Sequence, residues 1–223
     1  MNNYISFNKT KIKLKKKIIE KELTLRTLPY SNASKINKNI RDYHSILSKN
    51  CKNIPKLISH NNKLKFKFEY CGVSLHKVLQ KKNITEKKLN FILEGITNIL
   101  SNCEKKKIGI DPHFKNFTIL KNKIYFVDFY PPVTKNFTNL LIKYNPKIKK
   151  QIRMHLACYS YNKIKHHFLA DLKKSKKIYK KFYFLSKKFF IKKKVLNKID
   201  YKLINHIIKI ENTNLNNQNF TLT

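Results

Sequence analysis

The spacing of apolar residues changes period several times along this chain, and the order of those periods restricts the folds open to it. Residues 4–28 alternate in places, as in Leu23 and Leu25 against Thr24 and Arg26, and predict strands. Pro29 and the Tyr-Ser-Asn-Ala-Ser run after it close that region. Residues 34–49 switch to a spacing of three and four, with Ile36, Ile40, Tyr43, Ile46 and Leu47 on one face and Ser34 placed to cap the first turn. Alternation returns in Leu64, Phe66 and Phe68 against lysines, and predicts a strand paired with residues 53–58. Residues 69–79 then pass through Gly72 into a short helix. The clearest helix spans 85–104: Thr85 caps it, Glu86 suits its first turn, and Leu89, Ile92, Leu93, Ile96, Ile99 and Leu100 form its stripe. Residues 138–210 contain no glycine and repeat apolar residues at three and four, so they read as mostly helical.

This order predicts an α+β fold with two lobes that meet near residues 69–74. The first, residues 1–70, holds strands and one helix. The second, residues 71–210, is helical with one embedded hairpin at 109–130, and a polar tail at 211–223 is expected to fray.

Bulk properties bound the function less tightly. Fifty Lys and Arg against twelve Asp and Glu give a formal charge of +38. Such a surface attracts nucleic acid, anionic lipid and phosphorylated small molecules. Lys, Asn and Ile are all heavily used, as an AT-rich coding sequence would dictate, and the charge is spread over the whole chain rather than gathered in one patch. Residues 173–194 mix lysine with aromatics. They suit base stacking or lipid headgroups, or equally a core helix through Ile178, Phe182, Leu185 and Phe189 with a lysine-coated outer face. Cys51, Cys71, Cys103 and Cys158 lack metal-ligand spacing and read as reduced thiols. No apolar run reaches the roughly 20 residues of a membrane span, and the N-terminus lacks an apolar signal core, so a cytoplasmic location is expected.

The chain has five aspartates, and two of them, Asp111 and Asp128, flank one hairpin. Asp111 and Asn116 form D-x-x-x-x-N; a Lys-Asn-Lys turn at 121–123 folds Asp128 back toward Asn116. Two carboxylates and an amide so arranged suit phosphoryl transfer, which needs an oriented acceptor hydroxyl and oxygen ligands for Mg²⁺. The structural alternative is a loop cap at Asp111 and a turn residue at Asp128.

This segment resembles the catalytic loop and metal-binding segment of the protein-kinase-like superfamily, which includes aminoglycoside and choline phosphotransferases and lipopolysaccharide kinases. The resemblance implies ATP and Mg²⁺ as cofactors. Asp111 would be the catalytic base, and Asn116 and Asp128 the metal ligands. It makes Glu69, Tyr70 and Cys71 the adenine-contacting hinge. It puts Arg26 in place of the phosphate-pairing lysine, with Asp42 as its acidic partner; an ordinary surface pair is the alternative for those two. The expected reaction is transfer of a phosphoryl group to a hydroxyl of a small molecule or glycan-type acceptor. Glycine is absent before Gly72, Gly109 and Ile110 stand where the family has His and Arg, and Tyr130 stands where it has Gly. A degenerate member that binds without catalysis is therefore the second expectation, and a basic nucleic-acid or membrane-surface protein the third. His113, inside the loop, could touch substrate or brace the loop. The adjacent His166 and His167 diverge by about 100° on a helix and make poor joint metal ligands.

Overall fold

A computed structural model describes residues 8–25, 28–61, 63–80 and 84–212. Arg26 and residues 213–223, on which expectations were placed, lie outside them. The described residues are α+β, with a small antiparallel sheet ahead of a mostly helical remainder.

β1 (Asn8–Lys15) and β2 (Ile18–Leu25) form one hairpin, and β3 (Leu57–Asn61) and β4 (Lys65–Glu69) another; together they make one antiparallel sheet in the order β1-β2-β4-β3. Alternation works as its sequence predicts. Phe66 and Phe68 are buried while Lys65 and Lys67 face solvent. Glu20 and Glu22, on the outer face of β2, pair with Lys15, Lys67 and Lys65.

α1 (Ala33–Asn50) follows a short 3-10 turn, Tyr30–Asn32. That turn carries the chain into helical conformation early, so Ser34 lies inside the first turn and does not cap it. Asn32 holds the cap position, and its side chain accepts from the Tyr144 hydroxyl instead. Ile36, Ile40, Tyr43 and Leu47 are buried as expected. Ile46 is 43% exposed because position 46 lies about 90° from the centre of that stripe at 100° per residue.

β5 (Val73–Ser74) and α2 (Leu75–Leu79) lead to α3 (Glu86–Lys105), whose Thr85 Oγ1 accepts from the Lys88 amide at 3.3 Å. Its predicted stripe is buried throughout. A 3-10 turn at Phe114–Asn116, β6 (Phe117–Leu120) and β7 (Lys123–Phe126) follow, and β5, β6 and β7 form the second sheet in that order. Lys121 and Asn122 both take positive φ, 45° and 56°, the conformation a two-residue hairpin turn requires. Gly72 sits at φ +93°, and a Cβ there would stand 1.8 Å from the Ile119 carbonyl oxygen, so only glycine fits where β5 approaches β6.

The remaining helices are α4 (Lys135–Tyr144), α5 (Lys149–Ala157), α6 (Ile164–Lys174), α7 (Lys176–Lys192) and α8 (Tyr201–Asn212). α6 is the buried centre of this half. Ile164, His167, Phe168, Leu169, Ala170 and Leu172 are enclosed, and the helix packs on α3, α7 and α8. Among the described side chains of α7 the buried ones are Tyr179, Phe182, Tyr183, Ser186 and Phe190; the side chain of Ile178, expected on that face, lies outside them. Leu185 and Phe189 only edge that core, because at 100° per residue they fall to one side of the face that Phe182, Tyr183, Ser186 and Phe190 bury. α8 extends through Glu211, which is buried; the expected polar tail therefore begins inside a helix. No described helix is long and apolar enough to cross a membrane. All four cysteines are buried and free of disulfides, with the Cys51 and Cys103 sulfurs 3.4 Å apart.

Candidate active site

Register brings the two ends of the hairpin together. Phe117 pairs with Phe126, and the Val127 amide donates to the Asn116 carbonyl at 2.9 Å, so Asn116 and Asp128 meet at one end as their spacing predicts. They face a cleft of about 530 Å³ between the two sheets. Ile12, Ile19 and Lys21 form one side, Glu69, Cys71 and Gly72 the back, and Lys115, Asn116, Thr118 and Asp128 the other side.

Lys21 is the central cation of this cleft. Its Nζ donates to the Val127 carbonyl at 2.5 Å and stands 3.9 Å from Asp128 Oδ1. It also lies over the rings of Phe68 and Phe129. Burial lowers the Lys21 ammonium and raises the Asp128 carboxyl from their ordinary ranges, and each partner offsets part of the other's shift. Asp111 is near enough to push Asp128 further up by like-charge repulsion.

The sequence suggested Arg26 as the basic residue of the site; Arg26 lies outside the described residues, and Lys21 is a basic side chain that lines the cleft. Its signal is the inward face of β2, where Ile19, Lys21 and Leu23 follow one another at period two and a lysine interrupts an apolar row. In a chain with fifty basic residues that signal is easy to miss. Asp42, the suggested acidic partner, is exposed and pairs with Lys38 at 2.6 Å. It sits about 130° from the buried stripe of α1 and is the only acid on that helix, so no α1 carboxylate faces the cleft. Of the expected hinge, Glu69 and Cys71 line the cleft, whereas Tyr70 is not among the lining residues and its amide donates to the Lys17 carbonyl. The Cys71 carbonyl accepts from the Thr118 hydroxyl at 2.6 Å, and burial with the nearby Glu69 pushes its thiol up to about 12.

Asp111 behaves differently from Asp128. It does not line the cleft; its Oδ1 accepts from both the amide and the Nδ1 of His113. Its backbone carbonyl accepts from the Asn116 side-chain amide nitrogen at 3.2 Å, tying the two residues together. Burial alone would raise the Asp111 carboxyl, but His113, against which it is held, keeps it well below the usual carboxylate range. The loop is held further by the Phe114 amide, which donates to Asp171 Oδ2 on α6 at 2.8 Å.

Behind the loop lies a cluster that sequence reading missed. His113 Nε2 meets Glu211 Oε1 at 2.8 Å, His167 Nε2 meets the same oxygen at 2.6 Å, and Lys174 donates to Glu211 Oε2 at 3.3 Å. His113 thus braces the loop, one of the two roles open to it. His166 diverges from His167 as expected and accepts from the Asp200 amide. No local signal joins these residues, since Glu211 lies 44 positions from His167.

No protein-family model matches this chain, and no curated protein matches it; its geometry is what speaks to its chemistry.

Proposed function

We propose that the protein is an ATP-dependent phosphotransferase of protein-kinase-like, two-lobed architecture, acting on a hydroxyl of a small molecule or glycan-type acceptor. The observation that carries this reading is the convergence of Lys21, Asp128 and Asn116 on one cleft between the β1–β4 sheet and the 117–126 hairpin. A half-buried lysine beside a carboxylate and a carboxamide is the donor set that phosphates and a hard cation require. Asn116 and Asp128 offer the oxygens that would hold Mg²⁺, and the ion would neutralise charge on the phosphates. Lys21 would swing from Asp128 to the phosphates, and the apolar wall of Ile12, Ile19 and Phe68 would cover a base. Asp111, placed behind Asn116, would orient the acceptor hydroxyl. α4 begins at Lys135, soon after Pro131 and Pro132, leaving little chain to form a peptide-binding segment; this favours a small acceptor.

The test is thermal unfolding and ATP turnover with and without Mg²⁺, on the wild type, Lys21→Ala and Asp128→Asn. Mg-ATP should raise the midpoint of the wild type alone. Turnover should fall about a hundredfold or more in both variants. Equal turnover in Asp128→Asn removes the mechanism.

One observation favours a second reading, nucleotide binding without transfer: the Asp111 carboxylate is engaged by His113 and is not part of the cleft lining. A Mg-ATP-dependent midpoint shift with no ADP formed across a panel of sugar and amino-alcohol acceptors would select it.

A further inference from the structure

We propose that His113, His167 and Glu211 form a zinc-type metal site that staples α8 to the loop at 111–116. Nitrogen and oxygen atoms of these three side chains all lie within 4.8 Å of one another. They come from three distant parts of the chain: the loop before β6, the buried centre of α6, and the last turn of α8.

Hydrogen-bond accounting makes the cluster more than a crowd of polar groups. His167 Nδ1 lies 2.9 Å from the Cys158 carbonyl, which can only accept, so Nδ1 carries the hydrogen. His113 Nδ1 faces the Asp111 carboxylate, which also only accepts when ionised. In a neutral imidazole each Nε2 is then a lone pair, yet both point at the same oxygen of Glu211, itself an acceptor. Three lone pairs converging on one point require either two extra protons or one cation. A divalent ion satisfies all three together.

The surroundings fit that ion. Metal-bound histidines donate their second ring nitrogen to a carboxylate or a backbone carbonyl, and Asp111 and the Cys158 carbonyl stand in those two places. Asp171 Oδ1, 3.9 Å from His113 Nε2, is within reach of a fourth position. Two imidazoles with carboxylate oxygen suit Zn²⁺ better than Mg²⁺ or Ca²⁺, which take oxygen sets. Zinc–ligand distances of about 2.0–2.2 Å ask the side chains to open by roughly half an ångström from their direct contacts. Burial excludes competing water: the Glu211 and His167 side chains are 1% and 0% exposed, while His113, at 13%, leaves the site a way in.

This site is independent of the nucleotide reading, and its readouts involve no turnover. The full chain, stripped with chelator, is titrated with Zn²⁺ and then Co²⁺ while metal content, unfolding midpoint and visible absorption are followed. One zinc per chain, a raised midpoint and the absorption of four-coordinate Co²⁺ are expected. His167→Gln and Glu211→Gln should each weaken zinc binding about a hundredfold or more. A variant that fails to fold leaves the wild-type cobalt spectrum as the deciding measurement. No zinc retained and no cobalt band in the wild type overturns the site in favour of a doubly protonated histidine–carboxylate cluster. Unchanged binding in both glutamine variants overturns it as well.

Discussion

The loop at 111–116 has two sides, and its charged groups are handled oppositely on each. On the cleft side, Lys21 and Asp128 stand 3.9 Å apart with 15% and 27% of their side chains exposed. On the far side, Glu211 is enclosed and shared among His113, His167 and Lys174 at 2.6–3.3 Å. The cleft pair is desolvated without being fully satisfied, which is how groups are held ready for a ligand. The far cluster is enclosed and joins three separate elements, so it acts on structure. The same few residue types thus give a binding surface or a brace, according to whether they open on the cleft or are enclosed between helices.

Five measurements can break or sharpen this contrast. Glu211→Ala removes the acceptor common to two histidines and a lysine, and should cost about 3–5 kcal/mol in urea unfolding, since breaking a buried charge cluster leaves its partners uncompensated. A loss below about 1 kcal/mol would mean that the far side is no brace.

The far side should also carry an acid sensitivity. Burial holds His155 down to about 4 from an ordinary value near 6.5, with Glu211 opposing in part. Above pH 6.5 both folded and unfolded chains keep it neutral and its contribution is constant. As pH falls toward 4 the unfolded chain takes up a proton that the fold refuses, so stability drops. Between pH 7 and pH 5 this amounts to about 2 kcal/mol, and His155→Gln should remove that part of the slope. Identical slopes in the two proteins would contradict it.

Gly72→Ala attacks the back of the cleft. Its Cβ would meet the Ile119 carbonyl at a φ that favours glycine, so a loss above about 1 kcal/mol is expected. A neutral result would show that the β5–β6 approach yields easily.

Asp128→Asn should change stability by less than about 1 kcal/mol, because burial already disfavours the charge it removes while Lys21 loses only a 3.9 Å partner. Should it cost as much as Glu211→Ala, the two sides are alike after all. Asp42→Ala, which breaks an exposed pair with Lys38, should cost less than about 0.5 kcal/mol. A larger loss would make α1's outer face a third structural region.

Much of the fold was legible because it follows from near neighbours. The stripe of α3, the Thr85 cap, the Lys121–Asn122 turn and the alternation of Phe66 and Phe68 all depend on spacings of two to four residues. Differences arose at helix starts and at the edges of apolar stripes. The 3-10 turn displaced Ser34 from the cap, Ile46 fell about 90° off its stripe, and Leu185 and Phe189 fell to one side of the face that α7 buries.

The candidate site divides in the same way. A short hairpin is a local object, so the sequence alone determined that Asn116 and Asp128 would meet, and its aspartate scarcity made them visible. Tertiary structure alone decided that Lys21 enters the cleft, that Asp42 turns to solvent, and that Glu211 leaves the expected tail to join His113 and His167. The reason is physical. Spacing along the chain sets which face of an element a side chain takes, but a buried charge finds its partner only when separate elements pack, and here α8 closes on α6 and the loop across 44 and 98 residues of chain.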